Sequence, residues 1–154
     1  MSSDLVQIEK NISLTKVART TYCYDIFINE YETLNVPLVN MIPIVLNRLL
    51  ETTNQNTWAG VFQEMEQNIK YMLENLSGND FMEGRTILTL KAVTQIYQRI
   101  LSKFMSTSKA KELKTILSNC VTVGNKMLKM MNEAKYKLAA VSSQILKHGD
   151  RIMI

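Results

Sequence analysis

His148 and Asp150 stand two residues apart near the end of this 154-residue chain, in the manner of a base and its orienting carboxylate. Residues two apart on a turn seldom face one another, and no nucleophile is implied beside them, so catalysis by this pair is not expected. Glu64 and Glu66 have the types of an acid–base pair, but nothing near them in sequence argues for the desolvation such a pair needs, and they read as surface charge. One histidine and two distant cysteines, Cys23 and Cys120, cannot close a zinc site without several carboxylates, so no metal or other cofactor is expected. Phosphate-cradling GxxxxGK(S/T) and GxGxxG loops are absent, as are the GxSxG elbow and HExxH. No enzyme is expected.

Charge carries more information. Residues 1–100 hold 8 Lys and Arg against 11 Asp and Glu, whereas residues 101–154 hold 10 against 3. Lys109, Lys111, Lys114, Lys126, Lys129, Lys135, Lys137 and Lys147 follow one another without an arginine, and Tyr136 is the aromatic among them. Such a basic half suits an acidic or phosphorylated protein surface, an anionic lipid or a nucleic acid, and equally an ordinary solvated helix face. Nucleic-acid readers favour arginine forks and interleaved aromatics, so sequence-specific DNA reading is not expected, while diffuse attraction to RNA stays open. Lys126, Lys129, Lys135 and Lys137 are the candidates for attracting a partner.

These residues must be positioned by helices. Residues 1–21 form a weakly patterned lead. From Tyr22 onward Tyr24, Phe27, Ile28 and Tyr31 recur at helical spacing, and Asn35 to Pro37 closes that helix and opens the next. A second helix runs from Leu38 to Leu50, with Pro43 inside it expected to remove a backbone bond and bend it. Glu51 to Thr57 reads as a loop, with Asn56 or Thr57 capping a third helix. That helix presents Trp58, Val61, Met65, Ile69 and Met72 on one side, with Glu64, Glu66, Gln67 and Lys70 largely on the other, and stops at Ser77 to Asn79. Asp80 and Glu83 give a start signal for a fourth helix, which carries Ile87, Leu90, Tyr97 and Leu101. Ser106 to Ser108 ends it and caps the fifth. There Leu113, Leu117, Cys120, Gly124, Met127, Met131, Ala134, Leu138, Val141 and Ile145 alternate by four and three, the seam of a helix packed nearly parallel to its neighbours. Gly124 and Ala134 are small members where another backbone could come close. Flanking Ile116, Val121, Val123, Leu128 and Met130 widen the face beyond a free two-stranded coil, so the seam is expected to be buried among sister helices. Gly149 reads as a stop, and the residues to Ile154 as the opening of a strand.

The fold class expected is therefore all-α, a bundle of about five helices with a short C-terminal stub of strand. The lead occupies 1–21, the helical domain 22–148 and the truncated start of a second domain 149–154. Apolar runs are far shorter than about 18 residues, so no membrane span is expected. The N-terminus has no basic-then-apolar export pattern, and two cysteines make no disulfide framework, so the expected location is the cytoplasm. Most of the ten methionines fall at helical core spacing and read as packing.

The stretch from Ala134 to Ile154 resembles the end of the N-terminal helical domain in the regulatory subunits of eukaryotic translation initiation factor 2B, the alpha type in particular. In that family a basic helix of the form K/R-x-K-I-A runs into I-x-x-G-D/A-x-I-L, the first strand of a Rossmann-like domain. Lys135, Lys137, Leu138 and Ala139 match the helix, and Ile145, Gly149, Ile152 and Ile154 match its end and the strand. Upstream, Pro37 to Leu50 is similar to a Pro-then-apolar helix of the family, and Thr57 to Gly60 falls where its third helix opens. The resemblance covers about residues 22–154.

It implies a regulatory, non-catalytic part of a guanine-nucleotide exchange complex. The implied partners are other initiation factor 2B subunits and the phosphorylated alpha subunit of initiation factor 2, with Thr57 near the partner-facing loop. Related sugar-phosphate isomerases hold phosphate with an Arg-Gly pair at that loop. Here the pair is Ala59 and Gly60, and the isomerases' catalytic Cys and Asp belong to the Rossmann-like part, so isomerase activity is not carried over. The chain would be a short isoform, a truncated paralogue or a single-domain piece. A helical interaction adaptor unrelated to translation and an RNA-binding helical module are the alternatives.

Overall fold

A computed structural model describes residues 19–78, 84–109 and 111–151, apart from the side chain of Arg85. Five α-helices follow in order: α1 (Tyr22–Leu34), α2 (Met41–Thr52), α3 (Trp58–Ser77), α4 (Gly84–Thr107) and α5 (Leu113–Ile145). A 3-10 turn, Leu38–Asn40, leads into α2. No strand occurs among the described residues, and none of their helices is long and apolar enough to cross a membrane. The expected strand stub at Ile152 to Ile154, most of the lead and the Asp80–Glu83 start signal lie outside the described residues.

The middle of the bundle is α2. Met41, Ile42, Val45, Leu46, Leu49 and Leu50 are buried on it, and so are Pro43 and Asn47. A helix with so wide an apolar face must be covered on several sides. Accordingly α5 packs on α2 most extensively, and α1, α4 and α3 also pack against it. Pro43 does not interrupt this helix. It is the third residue of α2, where a backbone N–H has no intrahelical partner in any case, so the expected loss of a bond does not arise. Asn35, at φ 46°, closes α1 in the left-handed conformation that asparagine tolerates.

Two asparagine pairs set α5 against α2. Asn40 Nδ2 donates to Asn132 Oδ1 at 2.5 Å, and Asn47 Nδ2 donates to Asn125 Oδ1 at 2.9 Å. Numbers rise on one helix as they fall on the other, by seven on each, so the helices run antiparallel in fixed register. Gly124 lies in this contact, but what approaches it is a side chain and not the backbone the spacing suggested. A Cβ there would overlap Asn47 Oδ1, with Asn47 Cγ at 2.8 Å. The same Oδ1 accepts a 2.6 Å bond from the buried Tyr97 hydroxyl of α4.

The structure corrects three further expectations. Ser108 does not cap α5: the helix begins at Leu113, and the residue before it is Glu112, which makes no side-chain cap. Glu64 is not surface charge but 6% exposed in the bundle. Most consequentially, the α5 seam is buried only at Cys120 and Gly124, half-covered at Leu113, Leu117, Met127 and Met131, and then stands open: Leu138 is 68% exposed, Val141 53% and Ile145 70%. The reason is length. At about 1.5 Å per residue α5 runs about 50 Å, whereas α2 spans only about 18 Å and ends level with Asn132.

Candidate functional site

The far half of α5 gathers most of the candidate residues. Lys126, Lys129, Lys135 and Lys137 are all exposed. Glu133 lies between them, one oxygen 3.9 Å from Lys129 Nζ and the other 3.8 Å from Lys137 Nζ. Lys135 Nζ lies 5.0 Å from the ring centroid of Tyr136. Exposed pairs at such separations hold little energy, so the ammonium groups stay available to an anionic partner.

Thr57 is elsewhere. Its Oγ1 accepts the Gly60 N–H at 3.1 Å, the N-cap of α3 expected for Asn56 or Thr57. It follows the C-terminal end of α2, which in the antiparallel register faces the first turns of α5. Lys135 and Lys137 stand beyond the other end of α2, roughly 25 Å further along α5. A single partner face therefore does not take in Thr57 together with these two lysines.

Two concave surfaces border α5. Near its start, a cleft of about 490 Å³ lies between the end of α2 and Lys114, Leu117, Ser118 and Thr122. Further along, an apolar groove of about 440 Å³ lies between α4 and α5, lined by Val93, Ile96, Ile100, Met127, Met130 and Met131. Lys126 and Ala134 complete its rim. The methionines thus divide: Met41, Met65 and Met72 are core, while these three border solvent. Sequence spacing cannot separate the two sets, because both continue a helical apolar face.

The chemically distinctive cluster missed in the sequence is built on Arg19. Its Nε donates to Glu64 Oε1 at 2.6 Å, Nη1 to Thr52 Oγ1 at 3.0 Å and Nη2 to the Leu49 carbonyl at 3.3 Å. Thr53 Oγ1 donates to the other Glu64 oxygen at 2.9 Å. The guanidinium thereby satisfies the C-terminal end of α2 and ties residues before α1 to α3. The 45-residue separation left no local signal. Every Glu64 oxygen is occupied, so the cluster fastens helices together.

Burial governs the thiols. Cys120 is pushed up to about 11, and Cys23, whose Sγ points at the Val45 carbonyl, is raised further by the same desolvation. Neither supplies thiolate near neutral pH. His148 and Asp150 do not form a dyad: the Asp150 carboxylate accepts the Lys147 N–H at 2.7 Å, closing a turn in which Gly149 has φ 93°. Among the described residues, no group of three His, Cys, Asp or Glu side chains could hold a metal ion. No family model, curated protein or solved structure matches the chain.

Proposed function

We propose that the chain is a non-catalytic helical module of the initiation factor 2B alpha type, acting in the cytoplasm. It would bind the phosphorylated alpha subunit of initiation factor 2 and companion 2B subunits. One observation supports this reading above the others. The lysine-bearing segment that carries the resemblance projects from the bundle with its ammonium groups in solvent, and ends in the Gly149 turn. A phosphoserine brings a charge of about −1.5 to −2 and three acceptor oxygens, which a spaced lysine array attracts without the planar geometry an arginine fork demands. Lys126, Lys129 and Lys137 share the attracting side of α5, Lys135 adds its charge from the opposite edge, and Thr57 fixes the α3 opening as its cap. A helical module on its own would occupy the phosphorylated factor without completing an exchange complex, and so act as a competitor or nonproductive partner.

Recovery of phosphorylated and unphosphorylated initiation factor 2 on immobilised chain tests the proposal. Preferential recovery of the phosphorylated form, lost on replacing the four lysines by glutamine, is the expected result. Equal recovery of both forms counts against it. The open α4–α5 groove favours a second reading, a helical adaptor unrelated to translation, for which neither form would be recovered.

A further inference from the structure

We infer that the α4–α5 groove and the projecting seam of α5 form one continuous docking track for an amphipathic helix of another protein, its apolar stripe flanked by acidic residues. The inference goes beyond the translation-factor reading and does not rest on it.

Continuity is the first argument. Met127, Met131 and Ala134 belong to the four-and-three repeat of α5 and border the groove. The same repeat continues through Leu138, Val141 and Ile145, all exposed. A repeat of this kind is the surface that another helix packs along, knobs into holes, and here six successive positions are not fully covered by any helix among the described residues. Exposed Ile96 of α4 and Met130 of α5 widen the track at its bundle end. The flexible thioethers suit a surface that accommodates side chains from outside.

Charge identifies the occupant. With the repeat as positions a and d, Lys135 and Lys137 fall at e and g, on opposite edges of the exposed seam. Those are the positions that choose a partner helix by sign. From Ala134 to Arg151 there are 4 Lys and Arg against one acidic residue, Asp150. Asp150 is already engaged by the Lys147 N–H. A second copy would bring the same cations onto the same short seam. A helix bearing Glu or Asp at its own e and g positions meets them with opposite charge.

Binding of fluorescent three-heptad peptides to the full chain tests this by anisotropy. One peptide has Leu at a and d with Glu at e and g; the other has Lys at e and g. The Glu peptide is expected to bind roughly tenfold or more tightly, with the difference shrinking as salt rises. Leu138→Asp and Val141→Asp change only exposed positions, so they should abolish binding while leaving the far-UV spectrum unchanged. Lys135→Glu with Lys137→Glu should reverse the preference between the peptides. Equal affinity for both peptides, or no binding of either, overturns the proposal. So does dimerisation of the chain that Leu138→Asp abolishes, since the occupant would then be a second copy. Neither peptide carries phosphate or any initiation-factor sequence, so this result and the pull-down result can fail separately.

Discussion

Gly124→Ala should destabilise the chain although alanine is the better helix former. Propensity alone favours alanine over glycine inside a helix by about 1 kcal/mol. Here the added methyl overlaps Asn47 Oδ1, an atom that already accepts from Tyr97 and belongs to a side chain 5% exposed. Displacing Asn47 leaves the Tyr97 hydroxyl buried without its partner, at about 1–3 kcal/mol. Forcing the methyl into the packed contact costs about 1–3 kcal/mol more. The balance is a loss of roughly 3 kcal/mol, or a melting point lower by roughly 6–12 °C at this chain length. Urea denaturation followed by circular dichroism measures it. The decisive comparison is the same change in an Asn47→Ala background, where the obstruction is gone and Gly124→Ala should be neutral or stabilising by up to about 1 kcal/mol. An equal cost in both backgrounds, or a stabilised single variant, would refute the reasoning.

Glu64→Gln should cost several kcal/mol, about 3–5 by analogy with other broken buried pairs, because it leaves the Arg19 guanidinium without its anion; thermal melting reads this directly. Thr57→Ala should lose about 1 kcal/mol through the α3 cap, and Thr57→Ser should restore it in the same melt. Replacing Glu133 by Gln should leave the midpoint unchanged within error, since its lysine partners are exposed. Alkaline pH should destabilise the fold. Cys23, Cys120 and Tyr97 all have their folded values raised by burial, so the unfolded chain ionises first. Stability is full below about pH 8.5 and falls as pH climbs toward 11, by up to about 1.4 kcal/mol per pH unit for each group. Denaturation midpoints at pH 8 and pH 10 check the sign, and Cys120→Ala should flatten part of the slope.

Helix number and order were readable because each helix has an apolar repeat bounded by turn residues. Asn35 ended α1 and Thr57 capped α3 for local reasons visible in a few adjacent residues. Pro43 could not be judged that way, since its effect depends on whether α2 starts at Leu38 or at Met41, and a 3-10 turn decides that. Glu64 was misread for the opposite reason: its partner lies 45 residues earlier, in the weakly patterned lead. The α5 seam shows the limit most clearly. A repeat says which face of a helix wants cover, but the neighbours' lengths decide how much of it gets cover, and α2 is less than half as long as α5. The lysines of the candidate face were legible as charge, while the groove beside them exists only once α4 lies against α5.

The paired amides joining α2 to α5 also govern reach. Sliding α5 by one turn, about 5.4 Å, would part both couples at once and leave the buried amides of Asn40 and Asn47 searching for hydrogen bonds in a greasy contact, while Asn125 and Asn132 would turn to water. The overhang beyond Asn132 is therefore a boom of constant length and bearing, and cargo seated along it would ride at a set stand-off from the bundle.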